Sequence, residues 1–163
     1  MDDWGRRLVV DVGFDRVVAT ALQELEREGF QLSGKLDVRE ALWHALQEDC
    51  RRYTIITVWH PAVAAQALRH SLDIGVELPI NIAVYELADH ETAITVAEPL
   101  PRLSDDRSWR EECPELLPIE FQLSDHLAQA LGRMSHRLRG AVPALSTESA
   151  FQTGSVESVR RSA

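Results

Sequence analysis

Apolar positions in the N-terminal half of this chain change repeatedly from close-set β-rich runs to helical spacing and back. Residues 7–12 (RLVVDV) read as a short strand, after which Gly13-Phe14-Asp15 turns the chain into a helix with Asp15 as a candidate N-cap. Val17, Val18, Ala21, Leu22 and Leu25 keep helical spacing, and Gly29 stands where a left-handed cap ends a helix. Residues 30–36 read as a second strand interrupted by Gly34 and Lys35. Asp37 and Glu40 then have capping-box spacing, and Val38, Ala41, Leu42, Ala45 and Leu46 predict the buried stripe of a second helix.

The run 53–72 (YTIITVWHPAVAAQALRHSL) is the centre of this pattern. Its first seven residues have the β-branched and aromatic content of a buried strand. Pro61 follows at a first helical position, where its missing N–H has no partner to lose, so His60 is the hinge between strand and helix. Residues 73–79 read as a loop. Residues 81–87 and 92–97 predict an antiparallel hairpin across a polar turn. Four prolines (99, 101, 114 and 118) and seven acids against three bases mark 98–123 as an irregular acidic connection. Ser124 and Asp125 are candidate caps for a last helix whose Leu127, Ala130, Leu131, Met134 and Leu138 share a face, with Gly140 closing it. The order β-α-β-α-β-α-β-β-α predicts an α+β two-layer sandwich over 6–140, mainly antiparallel, with helices on one face. The serine-rich tail 141–163 offers no apolar face and is expected to be disordered.

Composition narrows the function classes. A formal net charge of -9 argues against general nucleic-acid binding and against docking on anionic lipid. No apolar run has the length of a membrane span, and residues 1–10 carry no signal-peptide core, so a cytoplasmic location is the default expectation. Cys50 and Cys113 lack Cys-x-x-Cys spacing and read as free, reduced thiols. The six histidines are scattered with no i, i+4 pair, so no metal site is expected, and haem on a single axial histidine has nothing more behind it. There is no nucleophile-elbow motif and no glycine-rich phosphate loop.

Several short motifs, taken in order, resemble the domain of unknown function 302 family. They are Gly29-Phe30 after the first helix, Asp37-Val38 opening the second, Trp59-His60-Pro61, Leu78-Pro79-x-Asn81, Val84-Tyr85-Glu86, and Pro99 after the last strand. The resemblance implies a small two-layer α+β sandwich, commonly dimeric, and leaves activity open. Members often carry cysteines two residues before the proline and directly after the Leu-Pro pair; here those positions hold Trp59 and Ile80, and His60 replaces the usual asparagine. Thiol chemistry is therefore not supported in this chain.

Two classes of function fit. One is a non-catalytic binding or assembly module forming a homodimer, with Trp43, Trp59 and the apolar 61–72 helix available for self-association. The other is a small-molecule or anion-binding protein, or an enzyme, with a pocket at the start of the 61–72 helix. There His60 stands beside free N–H groups and a positive dipole end, with Asn81 and Tyr85 as its expected partners. The bland alternative is that His60 only caps the helix. The sequence leaves the cofactor open, a metal or haem included, and does not place Glu86 against His60.

Overall fold

The computed structural model describes residues 5–99 and 114–138. Five strands, β1 (Arg6–Val10), β2 (Gln31–Asp37), β3 (Tyr53–Trp59), β4 (Ile80–Ala88) and β5 (Glu91–Val96), form one sheet in the order β1-β5-β4-β3-β2. Every neighbouring pair is antiparallel. Four helices accompany them: α1 (Phe14–Arg27), α2 (Val38–Leu46), α3 (Pro61–His70) and α4 (Leu117–Arg137). The predicted α+β sandwich is the fold.

Alternation along the strands decides which face is buried. Leu8 and Val10, Ile56 and Val58, Ile80, Ile82 and Val84, and Ile94 and Val96 all point into one cluster. The same cluster receives Val17, Ala21 and Leu25 of α1, Val63, Ala64 and Ala67 of α3, and Ile119, Leu123, Leu127, Ala130 and Met134 of α4. Three helices thus cover one face. The intervening residues, among them Ile55, Thr57, Asn81, Ala83, Tyr85, Ala93 and Thr95, line the other face; Ala93 is fully buried, yet it lies outside the core cluster.

Local chemistry explains the element boundaries. Asp37 accepts a hydrogen bond from the Glu40 amide at 3.0 Å and caps α2, and Pro61 opens α3 as expected. Gly29 has φ +87, the left-handed conformation glycine adopts without steric cost. Three expectations change. The α1 cap is Gly13 rather than Asp15, whose carboxylate pairs with Arg52 across the turn instead. The loop 73–79 contains a 3-10 turn, Asp73–Val76, that buries Ile74. The last helix begins seven residues before Ser124, because Pro118 is harmless in a first turn and Ile119 and Leu123 extend the apolar stripe. Ser124 lies inside α4 and accepts from Arg6 at 2.6 Å, tying the helix to β1. Of the acidic connection, residues 100–113 lie outside the described residues, as do Gly140 and the tail 141–163.

The largest departure is α2. Its stripe of Val38, Ala41, Leu42, Ala45 and Leu46 was expected in the core, but none of its residues is buried. The helix packs mainly along β2 and β3, at the edge of the sheet. Edge strand β2 has no buried residue either, and a bulge between Leu32 and Gly34 breaks its register.

Candidate functional site

His60 is held from four sides. β3 delivers it to the N-cap of α3, where its Nδ1 accepts from the Val63 amide at 3.4 Å. Its Nε2 lies 3.1 Å from the Glu28 carbonyl, so the two contacts together select the neutral tautomer with the proton on Nε2. The ring edge meets Phe30 with centroids 5.3 Å apart, and the ring face stacks on His126 of α4 at 4.6 Å and 23°. Gly29 completes the seat: a Cβ there would stand 2.9 Å from His60 Nε2. Burial first, and the charge of His126 second, hold the His60 imidazole below its ordinary pKa, against the opposing pull of the Glu28 carbonyl.

Behind the two rings runs a chain of ion pairs between α1 and α4. His126 Nδ1 lies 3.1 Å from a Glu28 carboxylate oxygen, and Arg133 also pairs with Glu28. Arg133 Nε reaches Glu24 at 2.9 Å, Arg27 reaches it at 3.1 Å, and Arg137 completes the set. Glu24 has 0% exposure, so its charge survives in the protein only because three guanidiniums surround it. Its pKa is lowered chiefly by the Arg137 hydrogen bond, which outweighs burial. That of Glu28 is lowered chiefly by the hydrogen bond to His126, again against burial, with Arg133 adding to it. Both carboxylates remain ionised at neutral pH.

Asn81 and Tyr85 stand on the other side of the sheet. Both alternate with Ile80, Ile82 and Val84, which face the helices, whereas His60 meets His126 of α4 within the helix layer. Asn81 is exposed and accepts from the Thr57 hydroxyl at 2.9 Å. Tyr85 stacks on Tyr53 at 5.3 Å and 11°, with the Arg7 guanidinium 5.8 Å from its ring centroid. Burial, with a smaller contribution from Tyr85, raises the Tyr53 pKa. The structure therefore does not bring the three candidate residues together. Glu86 is elsewhere again, lining a cleft of about 280 Å³ with Asp15, Arg52, Asp89 and His90 at the start of α1, and neither His60 nor His126 reaches that cleft.

Sequence reading missed Glu24, Glu28, His126, Arg133 and Arg137. A signal for them existed. Glu24 and Glu28 continue the apolar stripe of α1 by helical spacing, and Arg133 and Arg137 repeat the same i, i+4 interval on α4. Pairing the two sets needed knowledge that α1 lies against α4. No group of three or more metal-ligating side chains occurs among the described residues. Cys50 is a half-buried free thiol, and Cys113 lies outside the described residues. No helix among the described residues is long and apolar enough to cross a membrane.

A family model described as "Domain of unknown function DUF302" matches residues 7–131. The chain is also similar to a crystal structure of an uncharacterized conserved protein DUF302 from Bacillus stearothermophilus. The two share 23% identity and a TM-score of 0.69, over 82% of this chain and 99% of that one. At that identity the likeness establishes the fold. No curated protein matches the chain.

Proposed function

The chain belongs to the DUF302 family, and from that premise we propose that it is a non-catalytic assembly module that works as a homodimer, with β2, α2 and the helix-free sheet face as the contact surface. The observation that carries this reading is α2. A nine-residue helix is too short to hold itself in water by propensity and needs packing of an apolar face. Here that face is only partly covered in the single chain: Val38, Ala41 and Leu42 are half-buried, while Ala45 and Leu46 are exposed. Trp43 is 50% exposed and Leu46 60%, and Leu36 on the neighbouring strand is 49% exposed. Large apolar side chains grouped at one edge mark an association surface far better than the same residues scattered singly. The adjoining face supports it with small residues at its centre, Thr57, Ala83 and Thr95, which allow close approach, and with Tyr53, Tyr85 and Trp59 as aromatic anchors.

A ligand-binding or enzymatic role centred on His60 has less behind it, because both ring nitrogens are already committed to the backbone and the ring is enclosed by Phe30, Gly29 and His126. Native mass spectrometry and light scattering across a dilution series test the homodimer. The expected result is a dimer that dissociates on dilution, and a monomer throughout for the double variant Trp43→Glu, Leu46→Lys, whose far-UV spectrum shows the sheet intact. A wild-type chain that stays monomeric at high concentration sinks the reading.

A further inference from the structure

Three segments meet at one imidazole pair. His60 ends β3 and caps α3, His126 lies within α4, and Glu28 follows the last turn of α1. We propose that His60 and His126 form an acid-sensitive latch that keeps α4 seated over the start of α3, closed while His60 is neutral and opened when His60 takes a proton. This is independent of the self-association reading, whose surface lies at the β2–α2 edge.

The geometry makes the neutral ring a requirement. His60 Nδ1 is the acceptor that satisfies the Val63 amide, one of the N–H groups left without a partner at the start of α3. A proton on Nδ1 turns that acceptor into a donor aimed at another donor, so the cap is lost. Turning the ring over does not help, because the Nε2 hydrogen already serves the Glu28 carbonyl. Shifting the ring towards Gly29 is blocked as well, since the glycine backbone lies against it so closely that even a Cβ would not fit.

The surrounding charges do not rescue the imidazolium. From α3 come the positive end of the helix dipole and no acid in the first turn. The residue before β2 contributes only the uncharged Phe30 ring, perpendicular to the imidazole. From α4 come His126, in face contact, and Arg133. From the end of α1 comes the Glu28 carboxylate, which is already divided between His126 and Arg133. A charged His60 therefore has to leave its seat, and it takes with it the stacking contact that joins the start of α3 to α4.

The test is an NMR titration of the full-length chain from pH 8 to 5, following the imidazole nitrogens of His60 together with amide hydrogen exchange at Val63 and along α4. Exchange at Val63, corrected for its intrinsic pH dependence, is expected to speed up about tenfold as His60 titrates, the factor that corresponds to losing a cap worth about 1.4 kcal/mol. His60→Asn keeps a capping side chain that cannot be protonated in this range, and it should abolish the acceleration. Val63 protection that is unchanged through the His60 titration overturns the latch, and so does an acceleration that persists in His60→Asn. Should that variant fail to fold, His126→Gln decides in its place: without the stacked ring, exchange along α4 should no longer change as His60 titrates, and an α4 response that persists overturns the latch.

Discussion

His60 commits both ring nitrogens to the backbone around it, so its substitution separates capping from packing. His60→Asn retains the cap and His60→Ala loses both cap and ring contacts, so the alanine variant should be the less stable by about 1 kcal/mol in urea unfolding. Gly29→Ala should cost more, on the order of 2 kcal/mol, because a side chain at φ +87 is strained and the ring it meets is pinned by two hydrogen bonds and a stack. At Glu24 the exposed partners soften the loss. Arg27 and Arg137 keep enough contact with water to be resolvated and Arg133 keeps Glu28 as a partner, so Glu24→Gln should cost on the order of 2 kcal/mol, below what a stranded buried charge costs. These groups also set the pH dependence. His60 has a lowered pKa in the folded chain, so the unfolded chain binds the proton more readily; its contribution is complete above the ordinary imidazole value of about 6.5 and is lost as pH falls towards the folded value. Glu24 and Glu28 are lowered too, so their contributions persist to a more acidic range and fade below the ordinary carboxylate value of about 4.3. Urea unfolding measured across pH should show two separate acid losses, the upper of which disappears in His60→Asn.

At the scale of elements, α2 and α4 solve opposite problems. α4 is long, buries five residues in the core cluster and is fastened twice, to β1 by Arg6 and Ser124 and to α1 by the glutamate–arginine chain. α2 is short, has a good N-cap in Asp37 and an ion pair between Arg39 and Asp49 beyond its end, and buries nothing. An exposed ion pair contributes too little to hold a helix. Its order should therefore depend on association: in hydrogen exchange at rising dilution, protection along 38–46 is expected to fall together with the dimer fraction, while protection in β3, β4 and α4 stays high. Protection of α2 that does not change with concentration would show that the helix holds itself.

For the molecule as a whole, the described helices that reach the core cover one face of the sheet, and no described element covers its other face or the β2 edge. If a second copy supplies that cover, folding and association are linked by mass action, and the melting temperature should rise with protein concentration. In the Trp43→Glu, Leu46→Lys variant it should not. Calorimetric scans over a wide concentration range check this. Addition of salt should leave the dimer intact or tighten it, since the surface is apolar rather than built on opposed charges.

Period, capping chemistry and turn residues lie within a few positions of one another, and what they govern was legible along the chain. The hairpin of β4 and β5, Pro61 at the head of α3, Asp37 as a cap and Gly29 as a left-handed stop follow from local sterics and hydrogen bonding that act the same way in any fold. What depends on distant partners was not legible. The apolar stripe of α2 looks like a core stripe because periodicity reports that a face is apolar and says nothing of what covers it. The start of α4 was hidden by prolines that break a helix interior yet suit a first turn, and only the packing of Ile119 and Leu123 against the sheet shows which case applies. Asn81 and Tyr85 were expected beside His60 because one sheet holds them all, but a pleated sheet has two faces, and the helices chose the one these two do not line. The pairing of Glu24 and Glu28 with Arg133 and Arg137 was settled by tertiary structure alone: an ion pair bridging 109 positions of sequence exists only after α1 and α4 have been laid side by side.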